Sequence, residues 1–156
     1  NDAAKTKTLM EELVADGEYT LPEVDHTILD LFAADYATEA ETSAEIKRVY
    51  ETSHYIEDPH TAVASAVYHK YLYRTKDTTP TVIASTASPY KFPRVVVDAV
   101  REQAAADDFA AVNDLEKLSG VAIPKAVKSL DKLPVRHDTV VSTDGMQAIV
   151  ESILGI

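Results

Sequence analysis

Two neighbouring hydroxyl side chains are candidates for chemistry. Ser85 and Thr86 follow a short apolar run, residues 81–84, and precede a segment that contains Pro89 and Pro93. The run is rich in β-branched residues and uncharged, which is typical of a buried parallel strand. Ligands of open α/β sheets bind beyond the carboxyl ends of such strands, where a hydroxyl can hydrogen-bond a ring nitrogen without carrying charge. The alternative is that the pair only ends a strand and caps a turn.

Further candidates lie at the predicted starts of two helices. Asp58 can accept a bond from a free backbone N–H, and Pro59 loses no helical bond at the first position. His60 follows, and its ring could approach a cofactor or a substrate phosphate or only order the helix entry. Lys91 could offer its ammonium to an anion or make a surface contact.

Other chemistries find less support. Four residues that could ligate a metal lie near one another in sequence but include no His-x-x-x-His pair, so no metal site is predicted: His54, Asp58, His60 and His69. The absence of cysteine excludes disulfides and thiolate chemistry. The chain has no Gly-x-Ser-x-Gly elbow. With four glycines, at 17, 120, 145 and 155, it also has no glycine-rich phosphate loop.

Composition limits the partners. The 156 residues suffice for one domain or a large piece of one, and 46% of them are hydrophobic. A net charge of −11 argues against general nucleic-acid binding, which needs a basic surface. No apolar run approaches the roughly 20 residues that span a membrane. We therefore expect neither a nucleic-acid partner nor a membrane, and a cytoplasmic location.

The elements that must position these residues are mostly helical. Gly17 and Gly120 are plausible helix stops, and Thr42 and Glu45 have the spacing of a capping box. Pro93 opens a helix after the strand. The apolar periodicity adds further helices, at residues 9–14, from Pro22 to Phe32, from Asp58 to Tyr71, from Pro124 to Leu130 and from Met146 to Leu154.

A single strand among about eight helices raises a question of pairing. A lone buried strand cannot satisfy its own backbone groups. Either the chain is all-helical, or the strand belongs to a sheet whose other members lie elsewhere. The second option, together with a start at Asn1 without Met, predicts that residues 1–156 are one segment of a larger catalytic fold. Its uncovered surface then predicts self-association.

Two stretches resemble known motifs. Residues 85–92, Ser-Thr-Ala-Ser-Pro-Tyr-Lys-Phe, are similar to the Thr-Ala-(His/Ser)-Pro-x-Lys-Phe signature of the threonine synthase family. Residues 58–64, Asp-Pro-His-Thr-Ala-Val-Ala, resemble its Pro-His-(Thr/Ala)-Ala-Val-Ala motif. The order and separation agree, and the likeness extends to residues 118–120 and 132–135. Two motifs in the right order identify the chain as a C-terminal portion of this family.

The resemblance implies an α/β fold, the tryptophan synthase β-like fold type II of pyridoxal phosphate enzymes, of which this part would be mainly helical with one or two strands of a parallel sheet. It implies a lyase that converts O-phospho-L-homoserine and water to L-threonine and phosphate. It places the contact to the pyridine nitrogen on Thr86, with Ser85 beside it. His60 and Lys91, which lie within the two motifs, are candidate substrate-binding residues on their own chemistry. Ser88 stands where many relatives have His and receives no role.

The resemblance also implies what this chain lacks. The family's cofactor-bearing lysine lies far upstream in a Ser-Phe-Lys-Asp type context, and none of the ten lysines here has that context. We therefore assign no catalytic residue and expect the segment alone to be inactive. The alternatives are another fold type II lyase or dehydratase, and a non-catalytic helical interaction module, although the module would leave both motifs unexplained.

Overall fold

The computed structural model describes residues 2–21, 31–103 and 105–156, and these form six α-helices. Three short 3-10 helices lie at Pro89–Lys91, Leu130–Lys132 and Thr143–Gly145. The α-helices are α1 (Ala3–Asp16), α2 (Glu39–Ser53), α3 (Pro59–Thr75), α4 (Pro93–Arg101), α5 (Asp108–Ser119) and α6 (Met146–Leu154). The expectation of a mainly helical chain is confirmed.

Four of these helices enclose the hydrophobic core. Helix α2 packs against α3 and α4, and α4 packs against α5. Tyr90 closes one end of the core, since its ring is buried and its hydroxyl donates to the Val121 carbonyl at 2.5 Å. The largest apolar side chains that are fully buried come from three helices: Ile46, Val96, Val97 and Leu115. The core therefore holds the start of α3 and the segment that leads into α4 in a fixed relation.

The start of α2 differs from the prediction in its register. Thr38 caps the helix, accepting a bond from the Glu41 backbone at 3.2 Å, and Glu41 accepts from the Thr38 backbone at 2.8 Å. The predicted capping box at Thr42 and Glu45 is wrong by four residues. Both pairs have the same spacing, and the earlier pair adds another turn to the helix. Thr42 and Glu45 consequently lie inside the helix and are buried.

The parallel strand predicted over residues 81–84 is wrong. The segment has no regular secondary structure, and the described ranges contain no strand at all. Val82 is 94% exposed, so the segment is not buried either. A strand is defined by its ladder of hydrogen bonds to a neighbour, and the described residues supply no such neighbour. Instead, residues 81–84 line one wall of a cavity of about 570 Å³ against the Val67 and Tyr71 side of α3.

The other predicted boundaries had mixed outcomes. Gly17 and Gly120 do end α1 and α5, each in the left-handed conformation that glycine adopts without strain. The α-helix predicted from Pro124 to Leu130 is wrong, because turns occupy residues 125–129 and a 3-10 helix follows. The helix predicted from Pro22 falls mostly on residues 22–30, outside the described residues. No helix in the described part of the chain is long and apolar enough to cross a bilayer.

Candidate functional site

Helix α3 begins at a buried carboxylate. Asp58 is 1% exposed, and its Oδ1 accepts bonds from the backbone N–H groups of His60, at 3.0 Å, and Thr61, at 3.4 Å. The Thr61 hydroxyl donates to Oδ2 of the same carboxylate. Burial acts most strongly on the pKa of Asp58 and would raise it, but the bonds from Thr61 and His60 together outweigh burial and lower this pKa. Asp58 is thus a charged acceptor at neutral pH.

The two motif segments meet at this helix start. The Thr61 hydroxyl lies 3.2 Å from Ser85 Oγ and is hydrogen-bonded to it. A second contact lies alongside, where the His60 ring packs against the Phe92 ring with 5.1 Å between centroids. Residues 24 or more positions apart in sequence are therefore joined by one polar and one aromatic contact. We call this group of Asp58, Thr61 and Ser85 the hydroxyl junction.

The two candidate hydroxyls differ in their surroundings. Ser85 and Thr86 are both exposed. Ser85 is tied to Thr61, whereas the Thr86 hydroxyl has no hydrogen-bond partner among residues 2–21, 31–103 and 105–156. The structure therefore leaves Thr86 free to bond an outside group. The predicted location changes, however, since both residues lie on an extended loop and not at the end of a sheet strand.

The two residues proposed for the substrate share one aromatic ring. His60 is exposed, and its ring packs against the Phe92 ring. The Lys91 ammonium lies 5.4 Å from the centroid of the same Phe92 ring. Lys91 is exposed at the end of a 3-10 helix that Ser88 caps, with the Ser88 hydroxyl accepting from the Tyr90 backbone at 3.3 Å. The sequence thus brings a histidine and a lysine to one exposed surface.

A cavity of about 400 Å³ lies beside this surface, and its walls come from α4, α5 and the chain after α5. Lys91 and Phe92 contribute to its rim, together with Arg94 and Asp108. Ser85, Thr86 and His60 do not line it. The cavity is therefore adjacent to the candidate residues without containing the hydroxyl junction.

Sequence reasoning missed a buried polar cluster between α2 and α3. Glu45 receives two bonds from Arg48, at 2.8 and 2.7 Å, and one from the Ser65 hydroxyl at 2.5 Å. Glu57 is buried nearby, and its Oε2 has no hydrogen-bond partner in the described part of the chain. The only signal in the sequence was the i, i+3 spacing of Glu45 and Arg48, which is equally common on exposed helix faces.

This cluster separates the pKa values of its two glutamates. The Arg48 guanidinium is the main influence that lowers the pKa of Glu45, against the effect of burial. Burial is the main influence on Glu57, and the nearby Glu45 charge adds to it, so the pKa of Glu57 is raised to about 7. Glu57 therefore changes charge near neutral pH directly beside Asp58, at the base of the hydroxyl junction.

Two further groups of residues bear on cofactors. Among the residues that the structure describes, no three His, Cys, Asp or Glu side chains gather where they could hold a metal ion. Three of the four glycines end helices α1, α5 and α6. Each of these three glycines has a positive φ and ends its helix in the left-handed conformation.

Comparison with known proteins agrees with both motifs. The family described as "Threonine synthase, C-terminal" matches residues 61–151, which is more than half of the chain. Threonine synthase of Schizosaccharomyces pombe is 42% identical over 89 residues, which is 56% of this chain and 17% of the relative. Threonine synthase of Saccharomyces cerevisiae is 35% identical over 99 residues, 58% of this chain and 19% of the relative.

A solved structure is also similar. It is a pyridoxal-phosphate-bound threonine synthase from Brucella melitensis, with 34% sequence identity and a TM-score of 0.52 over 63% of this chain and 21% of that one. The chain thus spans less than a quarter of the length of each of these relatives. By its family match, its two motifs and its structural likeness, this chain belongs to the threonine synthase family and corresponds to the C-terminal region of that family.

Proposed function

We propose that this chain works as the C-terminal region of a threonine synthase, a lyase that converts O-phospho-L-homoserine and water to L-threonine and phosphate. In this proposal the complete enzyme has the fold type II architecture and binds pyridoxal phosphate, as the Brucella relative does. The observation that carries the proposal is the hydroxyl junction. It joins Thr61 of one family motif to Ser85 of the other, and so gives both motifs one shared location.

The exposed hydroxyls fit a pyridine ring. Thr86 is accessible, and its hydroxyl has no partner in the described part of the chain, so it can donate to the ring nitrogen of the cofactor. Because this donor carries no charge, it leaves the nitrogen unprotonated, which moderates the electron sink that pyridoxal phosphate supplies when bound. Ser85 lies beside it and would also help to hold the cofactor.

His60 and Lys91 would serve the phosphate of the substrate. Both are exposed and both contact Phe92, so an anion in front of that ring would meet a lysine ammonium and an imidazole together. The ammonium is a compact charge with three donors, which suits a phosphate that must be released after the reaction. The Phe92 ring would hold both side chains in place as the anion enters and leaves.

We also propose that the 156-residue chain alone has no threonine synthase activity. None of its ten lysines has the family's cofactor context, and its sequence has no glycine-rich phosphate loop. A lysine adduct of this chain that borohydride traps stoichiometrically, with measurable turnover, would contradict this expectation.

The activity itself is tested in the complete enzyme by release of phosphate from O-phospho-L-homoserine, with the visible absorbance of the cofactor as a second readout. Thr86→Val keeps the side-chain shape and removes the hydroxyl. A lost hydrogen bond to a buried group costs about 1–3 kcal/mol, so kcat should fall roughly tenfold to a hundredfold and the absorbance should shift.

Thr81→Val is the matched control, because Thr81 lies on the same exposed loop and its hydroxyl donates to the Thr79 carbonyl at 3.1 Å. Its kinetics should match those of the wild type. Equal losses in the two variants would remove the cofactor role from Thr86. Turnover of other amino acids without phosphate release would point instead to a different fold type II lyase.

A further inference from the structure

The direction of each hydrogen bond in the hydroxyl junction follows from the number of hydroxyl protons that are available. The Thr61 hydroxyl has a single proton and lies within hydrogen-bonding distance of both Asp58 Oδ2 and Ser85 Oγ. An ionised carboxylate can only accept, so Thr61 must give its proton to Asp58. The bond between the two hydroxyls then runs the other way, with Ser85 donating to Thr61.

The anchor of this chain of bonds is well held. The Asp58 side chain is fully buried, and it also accepts from two backbone N–H groups at the start of α3. Thr61 is 4% exposed, so water does not compete freely for its hydroxyl. Only Ser85, at the outer end, reaches the surface. The bonds that begin at the rigid start of α3 therefore hold the exposed Ser85 hydroxyl in one orientation.

We propose that Asp58 and Thr61 are positioning residues that hold Ser85 as a hydrogen-bond acceptor, and thereby leave Thr86 as the donor to the cofactor. This inference rests on the proposed function and divides the work between two adjacent hydroxyls. The proton of Ser85 is committed to Thr61, so Ser85 has no proton to donate to the ring nitrogen. The proton of Thr86 is uncommitted, so Thr86 is the residue that can donate to a ring nitrogen.

The first test is a double-mutant cycle on the 156-residue chain with Thr61→Val and Ser85→Ala. If the two hydroxyls are bonded as described, the double variant should differ from the sum of the single ones by about fivefold in the unfolding equilibrium constant. Thr61→Ser retains the hydroxyl and should restore the coupling. Additive effects would show that Thr61 does not direct Ser85, and the proposal would be wrong.

Thr42→Val is the control, since Thr42 is also a buried threonine near the start of a helix. Its hydroxyl donates to the Thr38 carbonyl at 2.9 Å and has no bond to Ser85. This variant should show no coupling to Ser85→Ala. It therefore separates the loss of any buried threonine hydroxyl from the loss of this particular bond.

The second test measures the affinity of the complete enzyme for pyridoxal phosphate by equilibrium titration. Thr61→Val, Ser85→Ala and the double variant should all weaken binding by a similar factor, about fivefold, because Thr61 acts through Ser85. Thr61→Ser and Thr42→Val should bind as the wild type does. Unchanged affinity in Thr61→Val, with a wild type that binds and turns over, would overturn the positioning role and leave the proposed function intact.

The two tests also distinguish a failure of the proposed function from a failure of the positioning role. If the wild-type complete enzyme binds no pyridoxal phosphate, the proposed function is wrong, and with it the assignment of Thr86 as donor to the cofactor. The cycle on the chain still decides whether Thr61 orients Ser85.

Discussion

Helices α2 to α5, which we call the core helices, differ from the flanking helices α1 and α6 in burial. Each core helix buries three or four side chains, whereas neither flanking helix buries any. The flanking helices still have apolar faces: Val14 of α1 is 88% exposed and Leu154 of α6 is 64% exposed. Amphipathic sequence is therefore enough to form a helix here but does not determine what covers its apolar face.

The difference matters for function because the candidate site belongs to the core helices. Asp58 and Thr61 start α3, and Phe92 immediately precedes α4. Both helices pack against α2, so the hydroxyl junction has a rigid base. We therefore expect mutations in the core helices to disturb both stability and the site, and mutations in the flanking helices to disturb neither within this chain.

The largest contrast should come from truncating a leucine in each region. Leu115→Ala removes a fully buried side chain of α5 and should cost about 3 kcal/mol in the free energy of unfolding. Leu154→Ala, on α6, should change it by less than about 0.5 kcal/mol. Chemical denaturation of both variants checks this prediction. Similar costs for the two would mean that α6 is packed, and the comparison would fail.

A smaller effect should depend on pH and arise from Glu57. Its pKa in the folded chain is raised to about 7 from an ordinary value of 4.5, so the folded state binds more protons between these values than the unfolded state does. Stability from this group is present below pH 4.5 and is lost as the pH rises through about 7. Glu57→Gln should therefore gain up to roughly 3 kcal/mol relative to the wild type between pH 4 and pH 8.

Unfolding curves of Glu57→Gln and wild type at several pH values provide the measurement. Glu116→Gln on α5 is the control, because it also replaces a carboxylate by an amide. It separates the effect of the raised pKa of Glu57 from the effect of losing any carboxylate. A constant difference between Glu57→Gln and wild type across this range would show that Glu57 titrates as an exposed glutamate.

Removal of the two aspartate caps sharpens the comparison further. Asp58 caps a core helix and Asp2 caps α1, where it accepts from the Lys5 backbone at 3.0 Å. Asp58→Ala should lower the free energy of unfolding by about 1–2 kcal/mol. Asp2→Ala should lower helicity by circular dichroism without moving the main unfolding transition, because α1 has no buried side chain to transmit the loss. Equal shifts of the main transition would contradict the division into two regions.

The smallest change in the free energy of unfolding is expected for a variant that mainly affects self-association. The exposed apolar face of α6 and the exposed loop at Val82 favour contacts between copies of the chain at high concentration. Ile153→Lys should reduce that association, measured by sedimentation, and leave the unfolding transition unchanged. A wild-type chain that stays monomeric at high concentration and binds no apolar dye would count against this prediction.

Local signals predicted several helix boundaries correctly. The Asp58–Pro59 pair starts α3, Pro93 starts α4, and Gly120 ends α5. These positions depend on the chemistry of single residues and their nearest neighbours. The capping box of α2 was predicted four residues too late because the same spacing occurs twice, and the helix begins at the earlier pair, Thr38 and Glu41.

The strand over residues 81–84 failed for a different reason. Its composition is that of a strand, but strand formation requires backbone partners, and composition cannot show whether they exist. The buried Glu45–Ser65 contact, to which the exposed Arg48 is bonded, was missed for a related reason, since an acidic side chain on a helix is ordinarily exposed.

By itself, the sequence determined the helical character of this chain, its main helix ends and, through two motifs, its family. Only the tertiary structure decided that the motifs meet at Thr61 and Ser85, that Thr86 is left without a partner in the described chain, and that Glu57 is buried with a raised pKa. The physical reason is the distance along the chain over which each interaction acts. Caps and periodicity act within a few residues, whereas the proton count of a hydroxyl and the burial of a carboxylate depend on side chains that folding brings together from distant parts of the chain.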